Sequence, residues 1–194
     1  MVRTVEAKRS GRASALPADE RRSAIIQATL PLLLEHAEMV TTRQIAEAAG
    51  IAEGTIFRVF TDKDAVIAAV VESAVDPAPI EAALTGLRAE APLEEVLVDA
   101  IELLQRRTIE IWRLLSSVGP RFHEVARKPL DSPALTALLE AHRAEITLAP
   151  AEAARRLRAI TLAATHPMLS DQPVPPAEIA HLFLHGVGRR GASC

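Results

Sequence analysis

Between Thr41 and Lys63 the sequence TTRQIAEAAGIAEGTIFRVFTDK sets out side chains suited to phosphates and base edges. Thr55 is a hydroxyl donor, Arg58 is a planar fork for guanine or phosphate, and Lys63 is a point charge for a phosphate. Gly54 has no side chain, so backbone and phosphate can come close there. Glu53 is the outlier: its carboxylate repels phosphate but accepts from the amino group of cytosine. Thr42 and Arg43 open a helix, and a helix N-terminus favours a phosphate.

Two short helices must position these groups. Thr41 with Gln44 three residues later is a capping box, which starts the first helix. Ile45, Ala46 and Ala49 share one of its faces at helical spacing. Gly50 supplies the left-handed residue that stops it. The second helix opens at Ala52 and Glu53, runs seven or eight residues, and buries Ile56, Val59 and Phe60. Two such helices with Gly in the link make a helix-turn-helix. In that motif the second helix enters the major groove with its N-terminal residues at the base edges.

The stretch from about Asp19 to Val71 resembles the DNA-binding domain of the TetR family of bacterial transcriptional regulators. TTRQIAEAAG is similar to the family's first motif helix, IAEGTIFRVF to its recognition helix, and TDKDAVIAAVV to the opening of the helix that follows. The resemblance implies that Thr42 and Arg43 meet the DNA backbone, Arg43 sometimes a base. It also places Glu53, Gly54, Thr55, Phe57 and Arg58 at the groove. It further implies a symmetric homodimer on a palindromic operator and a small-molecule pocket in the second domain. The match has departures. Phe57 stands where the family often has Tyr, so a phosphate bond is lost and apolar contact remains. Val59 replaces a common polar residue. Ala52 replaces a Ser-type cap, at about 1 kcal/mol of helix-start stability. Glu38-Met39-Val40 stands where a Gly-aromatic pair is usual, so the support of the next helix differs in detail.

Of the 194 residues 49% are hydrophobic and 3% aromatic, with no Tyr. A core of Leu, Ile, Val and Ala favours an all-α fold. No apolar run approaches the roughly 20 residues that cross a membrane, and no apolar leader opens the chain, so a cytoplasmic protein is expected. Cys194 has no internal disulfide partner. The net charge of −3 is unevenly spread: residues 1–63 carry nine Lys and Arg against eight Asp and Glu, the rest thirteen against seventeen.

Three parts follow from this. Residues 1–18 form a flexible basic arm with Arg3, Lys8, Arg9 and Arg12, suited to phosphates or a minor groove. Residues 19–75 are the helix-turn-helix domain. Its first helix spans 19–37, with Ile26, Leu30, Leu33 and Ala37 inward and Pro31 kinking or loosening it. Asp62 caps a further helix to about Val75, ended by Pro77 and Pro79. Residues 76–194 form a helical ligand-binding and dimerisation domain. Its helices are expected at 80–87, from Pro92 to Gly119-Pro120, and at 132–146, 150–169 and 175–188.

In that domain Trp112 and Phe122 are the large residues; with Leu104, Leu115, Leu138 and His142 they would line an apolar pocket. Trp112 reads equally well as a core residue. Leu157, Ile160, Ala164 and Met168, with Ile179, Leu182, Phe183 and Val187, form two stripes that would pair with a second copy as a four-helix bundle, or else complete a monomer core. His181 and His185 have the four-residue spacing of metal ligands, but no Glu follows the first and the surroundings are apolar. Packed histidines are therefore expected, with no metal and no cofactor. His142 and His166 are isolated. No phosphate loop, nucleophile motif or Cys cluster supports an enzyme. The expectation is a ligand-responsive repressor binding double-stranded DNA as a homodimer through its last two helices. The alternative is a ligand sensor whose degenerate helix-turn-helix acts through protein partners. Activation in place of repression stays open.

Overall fold

A computed structural model describes residues 17–124, 131–169 and 171–186. The basic arm up to residue 16, Ser170, Val187, Gly188 and Cys194 lie outside the described residues.

Helix α1 is Ala18–His36, with Asp19 and Glu20 at its positive end. Its buried stripe is Ile25, Thr29 and Leu33, so Leu33 is inward as expected while the two positions before it are one residue out. Leu30 and Ala37 are exposed and Ile26 is half-buried. The pairs Ile25-Ile26 and Leu33-Leu34 fit either phase, and a polar Thr29 disguised the true one. Its hydroxyl donates to Ile25 O at 2.7 Å, so its burial leaves no donor unpaired. Pro31 lies on the exposed side, and the helix continues past it. Ala37 ends α1 at φ +52°, a region that favours glycine.

A 3-10 turn, Ala37–Met39, leads to α2 (Thr42–Ala48), α3 (Glu53–Ile56) and α4 (Lys63–Ala74). Asp62 caps α4 through Ala65 N–H at 2.8 Å, as its position predicts. Helix α3 is a single turn, shorter than the seven or eight residues expected. Beyond it Arg58 N–H bonds Thr55 O and Val59 N–H bonds Ile56 O, the tighter 3-10 pattern. Its start has no side-chain cap, and Gly54, Thr55 and Val59 are poor helix formers.

The second set is α5 (Ala78–Thr85), α6 (Leu93–Ser117), α7 (Pro133–Ala141), α8 (Pro150–Ala163) and α9 (Pro176–His185). Helix α5 starts earlier than expected because Asp76 Oδ1 accepts from Ala78 N–H at 3.0 Å, and a first turn tolerates prolines. Helix α8 stops short of Leu169 because Pro167 disfavours helical backbone at His166. Among the described residues no helix is long and apolar enough to cross a membrane.

Two cores result. The first joins Ile25, Leu33, Ile45, Ile56, Phe60 and Ile67 with Leu114, Val118 and Phe122 from the far end of α6 and the turn Pro120–Phe122. The second joins Leu84, Leu97, Ile101, Leu135, Leu139, Leu157 and Ile179. Leu157, Ile160, Ala164, Ile179 and Phe183, expected at an interface between copies, pack into this second core. The apolar groups that α8, α9 and the segment between them turn outward are Leu162, Met168, Leu169 and Leu182. Helix α6 spans both cores and is the physical link between them.

Candidate nucleic-acid interface and the cavity behind it

The capping box at the start of α2 is complete. Thr41 Oγ1 accepts from Gln44 N–H at 3.2 Å, and Gln44 Oε1 accepts from Thr41 N–H at 2.8 Å. Gly50, at φ +65°, turns the chain, and Ile51 N–H closes on Ala46 O at 3.0 Å. Ile56 and Phe60 then anchor α3 from below, with the Arg22 guanidinium 4.6 Å from the centre of the Phe60 ring.

That anchoring leaves a rim. Glu53, Gly54, Phe57 and Arg58 are exposed, and Thr42, Thr55 and Lys63 are half-buried beside them. A Cβ placed on Gly54 meets nothing within 4 Å, so the fold itself does not require glycine there. Arg43 is exposed and pairs with Glu47 one turn on, Nε to Oε1 at 3.0 Å. Thr42 Oγ1 donates to Glu53 Oε1, joining the first residues of α2 and α3. Sequence reasoning missed this bond, since residues eleven apart carry no local signal of contact. Lys63 also differs from a plain phosphate ligand: its ammonium donates to Glu38 O at 2.9 Å and Val40 O at 3.3 Å. One of its three donors is left over.

The same Glu38 answers for the missing Gly-aromatic pair. Its Oε1 accepts from Gly119 N–H at 2.6 Å and lies 3.5 Å from Arg121 Nη2, which also pairs with Asp64 Oδ1 at 3.0 Å. A Cβ on Gly119 would come within 2.5 Å of the Glu38 carboxylate, so this approach needs glycine. The turn after α6 is thus tied to the loop before α2 and to the first turn of α4.

Behind this link, between α6 and α8, lies a cavity of about 550 Å³. Leu104, Trp112 and Leu115 line it as expected, with Ile80, Ile111 and Leu162. Phe122, Leu138 and His142 do not. Phe122 fills the first core, Leu138 the second, and His142 is buried with Nδ1 2.7 Å from Glu145 Oε1. Side-chain size suggested them, but size does not say which way a helix turns its residues. Trp112 packs against His166, ring centres 4.2 Å apart. Arg107, Thr108, Asp131, Arg158 and Thr161 bring polar groups to the wall. The signal for two of them was present: Arg107 lies three residues after Leu104 and four before Ile111, and Thr161 four after Leu157. Both are polar residues at apolar-stripe positions. Burial pulls the pKa of Arg107 and Arg158 below the usual guanidinium value, with Glu110 and Asp76 opposing at Arg107, Glu81 and Asp131 at Arg158. Elsewhere, His181 and His185 meet edge to face at 4.6 Å, and among the described residues no three His, Cys, Asp or Glu are grouped for a metal.

Comparison with known proteins adds to this geometry. The profile described as bacterial regulatory proteins, tetR family, matches residues 25–70. No curated protein sequence matches the chain. Among solved structures, a protein of Mesorhizobium loti MAFF303099 named as a TetR-family transcriptional regulator superposes with a TM-score of 0.61 at 19% identity, covering 88% of this chain and 94% of that one. The transcriptional regulator FadR of Bacillus subtilis, in complex with stearoyl-CoA, gives 0.55 at 18% identity over 86% and 99%. SmeT, the repressor of the Stenotrophomonas maltophilia multidrug efflux pump SmeDEF, gives 0.51 at 20% identity over 84% and 86%. At these identities the structural likenesses speak for the fold, and the profile match covers the motif itself. Residues 25–70 thus carry the helix-turn-helix of the bacterial regulatory proteins, tetR family, and the all-helical architecture around them is the fold of solved structures named as TetR-family regulators.

Proposed function

We propose that the protein is a ligand-responsive repressor that binds a palindromic operator as a homodimer in the cytoplasm. The observation that carries this reading is the rim of α3: Glu53, Phe57 and Arg58 stand in solvent around Gly54, a glycine the fold does not need, while Ile56 and Phe60 anchor the turn in the first core. Gly54 lets a phosphate approach, Arg58 pairs with guanine or phosphate, and Phe57 packs on a thymine methyl or sugar. Thr55 donates to a phosphate, as does the remaining N–H of Lys63. Arg43 exchanges Glu47 for DNA at small cost, because exposed pairs of this kind are worth about 0–1 kcal/mol. Thr42 can turn its hydroxyl from Glu53 to a phosphate, which frees the Glu53 carboxylate for a cytosine amino group.

One such domain covers too few base pairs for a tight operator complex, and a two-fold dimer doubles the contact. The outward apolar groups Leu162, Met168, Leu169 and Leu182 are the surface on which the last two helices would meet their copies. The cavity between α6 and α8 is the effector site. A ligand there presses on Trp112 and Leu115, shortly before the turn at Gly119 and Arg121 that is tied to Glu38 and Asp64. The FadR neighbour's ligand and the SmeT neighbour's role as a repressor agree with both halves of this reading.

Selection of bound sequences from random duplex DNA tests it. An inverted repeat is expected, with half-sites about 34–36 Å apart, and binding should weaken steeply with salt. Gly54→Ala should cost about tenfold or more in affinity through a lost phosphate approach while leaving the fold intact. No enriched sequence, or a Gly54→Ala protein that binds as well as the parent, would sink the repressor reading.

A further inference from the structure

We propose that the effector is an apolar monocarboxylate whose headgroup is held by Arg107 and Arg158, with Thr161 beside them. This rests on the reading of the cavity as the effector site and specifies its chemistry. The wall is mostly apolar, from Leu104, Ile111, Trp112 and Leu115. Two guanidinia enter it from facing helices. Each is tethered to a main-chain carbonyl: Arg107 Nη2 to Asp76 O at 2.6 Å, Arg158 Nη1 to Asp131 O at 2.7 Å. Among the described residues neither makes an ion pair with a carboxylate, and each keeps four of its five N–H donors.

Thr161 stands one turn beyond Arg158 on α8. Its side chain is part of the cavity wall, and its buried hydroxyl has no hydrogen-bond partner. A buried hydroxyl without a partner is costly, and a ligand oxygen would remove that cost. Both guanidinia are partly desolvated, so a bound anion gains more from them than it would from surface arginines. Asp131 also lines the wall, with its carboxylate 3.5 Å from Arg155. Of the Arg, Lys, Asp and Glu side chains, two guanidinia and one carboxylate line the wall itself, while Asp76, Glu81 and Glu110 act on the guanidinia from outside it, so the lining favours a monoanion over an amine. The planar fork of an arginine matches a carboxylate in shape as well as charge.

Trp112 is the sole tryptophan and forms part of the wall, so its emission reads occupancy directly. The full chain is titrated with decanoate, methyl decanoate and decylamine, and release of the selected operator is followed in parallel. Decanoate should bind about tenfold or more tighter than the ester, since a charge-assisted bond is stronger than a neutral one. Arg107→Gln and Arg158→Gln should each cost decanoate about tenfold or more and cost the ester far less, and the ester binding that remains shows that the variants are folded. Thr161→Val should cost less. Equal binding of ester or amine, loss of nothing in the Gln variants, or no decanoate binding at all would overturn the proposal. If methyl decanoate or decylamine alone releases operator, the carboxylate falls and the regulator stands. If decanoate binds through both arginines and operator stays bound, the site chemistry stands and the switch falls.

Discussion

The two cores handle their polar groups in opposite ways. Around the first, Thr42, Arg43, Glu53 and Arg58 stand on the outer rim, and the interior is apolar apart from a self-satisfied Thr29. Beside the second, Arg107, Arg158 and Thr161 are turned inward onto a cavity. A rim of exposed donors presents itself to a large, rigid, charged partner. Partly buried donors around an apolar space are suited to a small molecule that can replace water around them. On the proposed function, the difference is how one helical chain would serve two kinds of ligand at once. The proposed communication between them would run along α6, which lines the cavity over Leu104–Leu115 and reaches the first core through Leu114, with Val118 and Phe122 just beyond its end.

The sharpest way to break this contrast is to empty the first core alone. Ile56→Ala should cost about 2–5 kcal/mol and abolish operator binding at ordinary temperatures. Trp112 emission and its response to ligand should survive to a higher temperature than operator binding does. Simultaneous loss of both on a thermal ramp would mean the two cores melt as one unit.

Gly119→Ala addresses the link between them. Its Cβ displaces the Glu38 carboxylate and with it a charge-assisted bond, worth about 1.5–3 kcal/mol. Operator binding should be largely kept, while ligand-driven release is blunted. Unchanged release, measured as ligand-dependent operator dissociation, would show that the Glu38 tie carries no coupling.

The smallest effect expected is a gain. Ala37 sits at φ +52°, where glycine is unstrained, so Ala37→Gly should raise stability by about 1 kcal/mol or slightly more. A denaturant melt in which the midpoint falls would mean that contacts of the Ala37 methyl outweigh its backbone strain.

The rim was legible in the sequence because each of its supports is local. A capping box three residues long, a glycine after the last turn and a repeat of apolar residues every three or four positions each act within one or two turns. Where local signals were ambiguous, the reading slipped. The phase of α1 failed on adjacent apolar pairs, and the length of α3 failed because its weak helix formers were outweighed by an apolar pattern. The cavity was half legible. Trp112, Leu104 and Leu115 share one helix and were found together; Phe122, Leu138 and His142 were drawn in by size and lie elsewhere.

The sequence alone determined the helical class, the capped starts of α2 and α4 and the exposed rim of α3, since backbone preference and periodicity act between near neighbours. Only the tertiary structure decided that Glu38 meets Gly119, that Thr42 meets Glu53, and that Arg107 and Arg158 face one cavity. Those meetings join residues 11 to 81 positions apart. They depend on how whole helices pack, and packing is chosen by the summed burial of two cores rather than by any short run of residues.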